Sequence, residues 1–190
     1  MNENVKQIRM DALSAEYIYT VQLSRIGLLT KSISVLTIII PILYTSVLLA
    51  FKGSEYEPVF NFVSIFLSAI LLSLSVFNLI LEIDRKKESY FIGRRNNIYV
   101  SSEAQNNINA EDTDLKWFYK FVAEMDSRDR ENLGHVSSSL KQEAYRHSLM
   151  KLYPGQSDTV CSVCNASPFD YKKGDCQVCG NTPRSNNVSS

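Results

Sequence analysis

Two long uncharged segments constrain the fold of this chain more than any other feature of its sequence. Residues 32–51 and 59–81 contain no Asp, Glu, Lys or Arg, and each has the length of about 20 apolar residues that a helix needs to cross a bilayer core. Buried helices of this length need a large domain around them, and too little of the 190-residue chain remains to build one. The sequence therefore predicts two transmembrane helices, joined as a hairpin by an external loop at residues 52–58.

Lysine and arginine are distributed unevenly around the two segments. Lys52 is the one basic residue in the loop, whereas the tails carry seven close to the spans: Arg25, Lys31, Arg85, Lys86, Lys87, Arg94 and Arg95. Because cytoplasmic segments beside a membrane carry the excess of basic residues, both termini are expected in the cytoplasm. A cleaved signal peptide is not expected, since about thirty mostly polar residues precede the first span.

The predicted fold class is an all-α membrane protein with cytoplasmic helices on both sides of the hairpin. Residues 1–31 form an amphipathic helix whose apolar positions recur every three or four residues: Val5, Ile8, Ala12, Ala15 and Tyr19. We expect this helix to pack on the stalk of its own hairpin rather than to lie on the membrane surface. Residues 82–155 are expected to form a charged stalk and further helices, with a loop at the Asn- and Ser-rich residues 96–112.

Two helices are predicted beyond that loop. The first begins near Asp112 or Thr113 and buries one apolar face: Leu115, Phe118, Val122 and Met125. Its acids form i,i+4 pairs that we interpret as solvated surface charge: Glu124–Arg128 and Asp126–Arg130. The second helix covers residues 139–152 and ends before Pro154.

No pattern in the sequence indicates an enzyme. The two histidines, His135 and His147, lie at no meaningful spacing from a nucleophile or a carboxylate. The sequence also lacks a phosphate-binding glycine loop, a dinucleotide fingerprint and a Ser/His/Asp arrangement. We therefore expect a non-enzymatic protein.

All four cysteines of the chain lie near its C-terminal end. They form two Cys-x-x-Cys pairs separated by eleven residues: Cys161, Cys164, Cys176 and Cys179. Two such turns supply the four thiolates of a tetrahedral zinc site, and the reducing cytoplasm disfavours disulfides. The residue after each second cysteine needs a left-handed backbone, which suits Gly180 and Asn165. A redox dithiol and an iron–sulfur site stay open as alternatives.

A zinc-ribbon tail is predicted for residues 156–190. Four protein ligands leave no open coordination position, so the predicted Zn²⁺ is structural, and a segment this short cannot bury a core without it. The tail balances basic and acidic side chains: Lys172, Lys173 and Arg184 against Asp170 and Asp175. Nucleic acid is therefore not expected as a partner. Phe169 and Tyr171, predicted to be exposed, favour contact with an unknown cytoplasmic protein.

Polar residues of the second span lie on one side of the predicted helix. Five of them, together with Leu71 and with Glu82 just after the span, fall within an arc of about 100°, and the polar ones define the polar stripe: Asn61, Ser64, Ser68, Ser75, Asn78 and Glu82. Small hydroxyl residues let helices approach closely, so the stripe is interpreted as a packing seam in the hairpin or between its copies. Alternatively, it surrounds a narrow wet path in a homo-oligomer, with Asn61 and Glu82 at the two mouths.

The chain resembles the bacterial proteins called mobilome CxxCx(11)CxxC protein, which are found with mobile elements. The opening NENVKQIRMDALSAEYIYT, the two apolar spans, the segment LKQEAYRHSLMKL and the end CSVC…CQVCG carry this resemblance. More distantly, the chain is similar to the SLATT superfamily of two-transmembrane effectors. That resemblance implies a non-enzymatic, multi-pass protein of the bacterial inner membrane in conflict or antiviral defence systems, which perforates the bilayer when a partner senses infection.

Three functions are compatible with these observations. The first is a membrane-perturbing, pore-forming effector that assembles as a homo-oligomer in the lipid bilayer and carries a zinc-ribbon contact module. The second is an adaptor whose hairpin anchors the zinc ribbon without forming a pore, so that the ribbon recruits a cytoplasmic partner. The third is a small accessory subunit of a transporter or channel.

Overall fold

The computed structural model describes residues 2–50, 52–53, 55–80, 83–156 and 158–183, apart from the side chains of residues 48, 74, 75 and 77–80. Five helices lie in these ranges: α1 (Glu3–Ala50), α2 (Glu57–Ile80), α3 (Ile83–Asn106), α4 (Lys116–Leu133) and α5 (Ser138–Leu152). The chain divides into two compact units. We call Leu23–Glu88 the apolar unit, and Met1–Gln22 with Ser89–Ser190 the bundle unit.

Helix α1 is continuous through both units. The predicted amphipathic helix and the predicted first span are parts of this one helix, which contains both Gly27 and Pro41 without a break. Within the described residues, α1 is the one helix long and apolar enough to cross a membrane, over Glu3–Val47. Helix α2 has a shorter apolar stretch, Glu57–Ser73, and the second span stays a prediction.

The apolar unit is a pair of helices joined by a short turn. Gly53 has a φ of 81°, and its N–H donates to the Glu57 carboxylate at 2.9 Å, which closes the turn. Farther along, the Tyr44 hydroxyl donates to the Phe60 carbonyl and links α1 to α2. None of the described residues between positions 23 and 88 is buried. The apolar side chains of this unit therefore face outward.

The bundle unit contains two apolar clusters built from α1, α3, α4 and α5. One cluster confirms the face predicted for α4 and adds residues of α1 and α3: Val5, Ala12, Val100, Ala104, Leu115, Phe118, Val122 and Met125. The other joins α1 to α5 and the end of α4: Ile18, Tyr19, Leu133, Val136, Leu140 and Ala144. Helix α5 begins at Ser138, one residue before its predicted start, with the Ser137 hydroxyl accepting from the Leu140 N–H at 3.4 Å.

The loop predicted at residues 96–112 is wrong over residues 96–106, because α3 extends to Asn106. Its buried face follows a helical spacing but consists of small and polar residues: Gly93, Asn97, Val100, Ser101 and Ala104. Because few of these residues are large and apolar, the spacing of apolar residues in the sequence does not reveal this face. Residues 107–115 do form turns, so α4 begins at Lys116, later than predicted.

Gly93 shows why a small residue is needed on this face. A Cβ at this position would lie 2.4 Å from Cζ of the Tyr19 ring, far inside van der Waals contact. Tyr19 is fully buried, and its hydroxyl donates to the Asp129 carboxylate at 2.7 Å. The glycine therefore lets α3 approach the largest side chain in the core of the bundle unit.

Candidate metal centre

The two Cys-x-x-Cys segments form turns with the same backbone hydrogen bonds. In each, the N–H of the residue after the second cysteine donates to the carbonyl of the first: Asn165 to Cys161 at 3.0 Å, and Gly180 to Cys176 at 2.8 Å. The N–H of each first cysteine donates to the carbonyl of the residue two positions after the second cysteine: Cys161 to Ala166 at 2.9 Å, and Cys176 to Asn181 at 3.2 Å. Two equivalent turns thus present their sulfur pairs to each other.

The left-handed positions predicted for these turns are confirmed. Asn165 has a φ of 55° and Gly180 a φ of 68°. Of the non-glycine residues that the structure describes, Asn165 alone has a positive φ. Asparagine tolerates this conformation better than most residues, and glycine adopts it without steric cost.

The four sulfur atoms lie together in a geometry that fits one metal ion. They all lie within 4.8 Å of one another, and the Sγ atoms of Cys164 and Cys179 are 3.3 Å apart. A tetrahedral site with metal–sulfur bonds of about 2.3 Å has sulfur–sulfur edges of about 3.8 Å. All four cysteines are buried, and none forms a disulfide. The cluster is therefore a candidate metal site in which every ligand is a thiolate.

Backbone N–H groups donate to sulfurs of the cluster, although burial still raises the pKa of Cys179 well above its ordinary value. Burial raises the pKa of Cys176, but the N–H groups of Cys179 and Val178 donate to its sulfur and bring that pKa down to about 6. Burial also raises the pKa of Cys164, which a hydrogen bond from Ala166 opposes. Thiolate is the form that binds a metal, so these donors favour metal binding.

Asn181 organises the loop between the turns, and sequence reasoning did not identify it. Its side chain is buried and makes four hydrogen bonds to backbone groups. The amide donates to the carbonyls of Ser167 and Asp170, at 3.1 and 3.2 Å, and its oxygen accepts from the N–H groups of Lys172 and Thr182, at 2.8 and 3.0 Å. A single Asn after a glycine looks like an ordinary turn residue, so the sequence offers no signal for this role.

Helix α5 contacts the second turn through two long polar side chains. Gln142 donates to the carbonyls of Cys176 and Gln177, at 3.2 and 3.3 Å. The Arg146 guanidinium donates to the Cys179 carbonyl and also lies over the Tyr171 ring, 3.8 Å from its centroid. We call the two cysteine turns and the loop between them the metal centre. Backbone carbonyls of its second turn therefore hold it against α5.

The opposite side of α5 contacts α1. The Tyr17 hydroxyl donates to the Glu143 carboxylate at 2.6 Å, and the Ser14 hydroxyl donates to the Ala144 carbonyl at 3.4 Å. His147 stacks on the Tyr17 ring, with centroids 4.3 Å apart, as expected for a structural histidine. Helix α5 thus lies between the cysteine cluster and the N-terminal part of α1.

The predicted contact residues of the tail are exposed. Phe169 is 46% and Tyr171 49% exposed, and Val163 in the first turn reaches 63%. Tyr171 nevertheless has a partner in its own chain, because the Arg146 guanidinium covers one face of its ring. Among the described residues of the tail, Val160, Val163 and Phe169 are left as exposed apolar side chains without such a partner.

The polar stripe of α2 lies partly within the described residues. Asn61 and Ser68 are exposed, and Ser64 is half-buried. The side chains of Ser75 and Asn78, and the whole of Glu82, lie outside the described residues. Asn61 and Ser68 therefore do not pack into the contact between α1 and α2 of one chain.

A cavity of about 620 Å³ opens among the helices of the bundle unit. Its lining includes three acids, Asp11, Asp126 and Asp129. Burial raises the pKa of Asp129, against hydrogen bonds from Tyr19 and Asn97, and Asp126 adds a like charge. Asp126 lines the cavity but is exposed, as predicted for a residue of the charged face of α4, and the predicted pair between Glu124 and Arg128 is present at 2.6 Å.

These observations define the class of the molecule: a small helical protein whose described residues include one helix apolar enough to cross a membrane and a four-cysteine cluster that can hold a metal ion. The family model described as mobilome CxxCx(11)CxxC protein matches residues 2–182, and the chain belongs to this family. Neither a curated protein nor a solved structure matches the chain.

Proposed function

We propose that this protein is a non-enzymatic membrane effector of a mobile-element conflict system. In this proposal α1 and α2 both cross the bacterial inner membrane, with both termini in the cytoplasm, and several copies assemble and disturb the bilayer. The observation that carries the proposal is the exposure of Asn61 and Ser68 on the mostly apolar helix α2. Polar side chains inside a bilayer face other helices or water, so these two require a neighbouring copy.

The metal is proposed to be a structural Zn²⁺ held by Cys161, Cys164, Cys176 and Cys179. Four thiolates fill a tetrahedral coordination sphere, so the ion would hold the two turns together and would bind no substrate. Since α5 contacts both the second turn and α1, the metal would also order the surface that α5 presents to α1. If the protein acts as the sequence resemblance to SLATT effectors implies, its trigger would come from another protein or through the zinc end.

An adaptor is the second candidate, and the exposed apolar side chains of the metal centre favour it. Val163 and Phe169 are exposed apolar side chains that a cytoplasmic partner could cover. An adaptor would need only the anchoring property of the apolar unit, and the stripe on α2 would then hold copies together without conducting ions.

Membrane potential distinguishes the two candidates. Cells that overproduce the full chain are expected to depolarise, as measured with a potential-sensitive dye, if the protein is an effector. Ser68→Leu removes a stripe residue and is expected to abolish depolarisation. Ser73→Leu, on the opposite side of α2, is the matched control and is expected to keep it.

An adaptor gives a different result in the same assay. Overproduction would leave the membrane potential unchanged for the native chain and for both variants, although the protein accumulates in the membrane fraction. That outcome would rule out the effector proposal.

A further inference from the structure

The cavity among the helices of the bundle unit has the size and the lining that small-molecule sites have. Its volume of about 620 Å³ lies in the range of roughly 300–1,000 Å³ that is typical of ligand pockets. Helices α1, α3, α4 and α5 all contribute to the lining, and its apolar part draws on both clusters of the unit: Ile18, Val100, Met125 and Leu133 belong to it. Ligand sites between helices combine such apolar walls with a few polar groups.

Three carboxylates lie in this lining and come from two helices. Asp11 belongs to α1, and Asp126 and Asp129 belong to α4. The two oxygens of Asp129 are already satisfied, because Tyr19 and Asn97 donate to them at 2.7 and 2.8 Å. Asp126, by contrast, forms neither a hydrogen bond nor an ion pair with any residue that the structure describes.

Asp11 and Asp126 are therefore the carboxylates that remain for a ligand. Asp11 accepts a single hydrogen bond, from the Gln7 amide at 3.0 Å. Both carboxylates reach solvent, so a ligand has access to them. Partial burial nevertheless raises the pKa of both, and the charge of Asp126 raises the pKa of Asp11 further. Like charges held together in this way lower stability and are typical of functional sites.

The lining also contains two basic side chains, Arg130 and Lys141, and both are exposed. Arg130 lies one helical turn after Asp126 and lowers its pKa, but burial has the larger effect and that pKa stays raised. Lys141 lowers the pKa of none of the three acids. Neither base forms an ion pair with a described residue. The two bases therefore balance the negative charge of the carboxylates only in part.

An organic cation suits this cavity better than a metal ion does. Among the described residues, the four cysteines are the one group of three or more candidate ligands that lie close enough to share an ion. A metal ion would also leave the apolar walls without a contact. An organic cation offers a charged group to the carboxylates and an apolar body to the walls. Tyr145 adds an aromatic ring to the lining, and cations are attracted to the faces of such rings.

We propose that the cavity binds a small organic cation, an amine or a quaternary ammonium compound with an apolar body. The charged group lies between Asp11 and Asp126, and the body contacts apolar side chains such as Ile18, Met125 and Leu133. The site belongs to the bundle unit alone, so this proposal does not depend on the proposed membrane function.

Calorimetry with three matched probes tests the preference for positive charge. At pH 7 phenethylamine is a cation, 2-phenylethanol is neutral and phenylacetate is an anion, and all three carry the same ring. Each probe is titrated into the full chain in detergent micelles, with empty micelles as the blank. Phenethylamine is expected to bind about tenfold more tightly than 2-phenylethanol, and phenylacetate is expected not to bind.

A double substitution tests the two carboxylates. Asp11→Asn combined with Asp126→Asn is expected to weaken phenethylamine binding about tenfold and to leave the binding of 2-phenylethanol unchanged. The variant should fold, because burial disfavours the charge of both groups that it replaces, and thermal unfolding checks this. Glu124→Gln combined with Glu131→Gln removes the same charge from exposed positions of α4 outside the lining, and this control is expected to bind as the native chain does.

Three results would overturn the proposal. Equal binding of phenethylamine and 2-phenylethanol would show an apolar groove without a preference for charge. A loss of phenethylamine binding that is as large in the control as in the Asp variant would show general attraction to the protein surface. No binding of any probe to a chain that unfolds cooperatively would leave the cavity to water. None of these results alters the expected depolarisation of cells, so this proposal and the proposed function can fail separately.

Discussion

The two units of the molecule use apolar residues in opposite ways. The bundle unit buries them in two clusters and around the cysteines, with Tyr19, Phe118 and Leu115 almost fully enclosed. In the apolar unit, none of the described residues is buried, and side chains such as Phe62 and Ile65 are more than 70% exposed. The bundle unit has the interior of a water-soluble fold, whereas the apolar unit has an apolar exterior.

This difference indicates that the two units fold in different surroundings. In water, burial of apolar surface is the main favourable contribution to folding, and the bundle unit achieves it within one chain. The apolar unit cannot do so with two helices, so its exterior requires lipid or further copies of the chain. Substitutions are therefore expected to have different consequences in the two units.

Loss of one metal ligand is expected to have the largest effect, and that effect should stay within the bundle unit. Cys176→Ser leaves three thiolates, and metal binding supplies the folding free energy of such short segments, about 10 kcal/mol or more for structural zinc. The purified variant is expected to lack bound metal and to be cleaved by protease beyond residue 156, while its membrane fraction is unchanged. Val163→Ser, in the exposed part of the first turn, is the control and is expected to retain the metal. Failure of Cys176→Ser to reach the membrane would show that the units are not separable.

A pair of glycine substitutions compares the two units directly. Gly93→Ala places a Cβ 2.4 Å from the Tyr19 ring in the bundle unit, and we expect a loss of about 1–3 kcal/mol in unfolding free energy. Gly27→Ala, in the apolar unit, meets nothing within 4 Å and should increase stability slightly, because alanine favours helix. Thermal unfolding followed by circular dichroism measures both. Equal effects at the two positions would contradict the contrast between a packed and an open unit.

Arg146→Ala is expected to loosen the metal centre from α5 without removing the metal. The variant loses a charged hydrogen bond to the Cys179 carbonyl and the contact with Tyr171, together about 1–2 kcal/mol at this half-buried site. Amide hydrogen exchange around Gly180 should become about tenfold faster, with the metal content unchanged. Arg128→Ala, which breaks only the exposed pair with Glu124, is the control. Unchanged exchange in Arg146→Ala would show that the contacts of Arg146 do not stabilise the metal centre.

The smallest effect is expected at the acids that line the cavity. Burial raises the pKa of Asp126 above its ordinary value of 3.8, so the folded chain binds that proton more tightly than the unfolded chain. Charged Asp126 therefore lowers stability at neutral pH, and the loss diminishes as the pH falls through the raised pKa toward 3.8. Asp126→Asn should stabilise the protein at pH 7, by on the order of 0.5 kcal/mol because the site is open to solvent, and less at pH 5. Glu124→Gln should give no such gain. A gain from Asp126→Asn that does not change with pH would exclude this electrostatic origin.

The sequence predicted those features that depend on strong local patterns. Spacing alone located the cysteine cluster and the left-handed backbone at Asn165 and Gly180, because two sulfurs from one tight turn leave few backbone solutions. The apolar face of α4 followed from Leu115, Phe118 and Val122. These features need no knowledge of the rest of the chain.

The features that escaped prediction depend on distant partners. The second half of α3 looks like a loop in the sequence, and it is helical because Asn97 and Ala104 face α1 and α4 across small side chains. Gln142 and Arg146 look like ordinary surface residues of α5 until the second cysteine turn lies against them. Buried polar contacts of this kind leave no periodic signal.

The central claim is that the apolar unit crosses the membrane while the bundle unit lies in the cytoplasm. Labelling of one position in each unit tests this claim most directly. Tyr56→Cys lies in the turn between α1 and α2, and Ser102→Cys lies on the exposed side of α3. Intact cells that produce the full chain are treated with a membrane-impermeant maleimide, with metal bound to the native cysteines. The account predicts that position 56 is labelled in intact cells and that position 102 is labelled only after the membrane is permeabilised. Labelling of position 102 in intact cells, or the same labelling of both positions under both conditions, would contradict it.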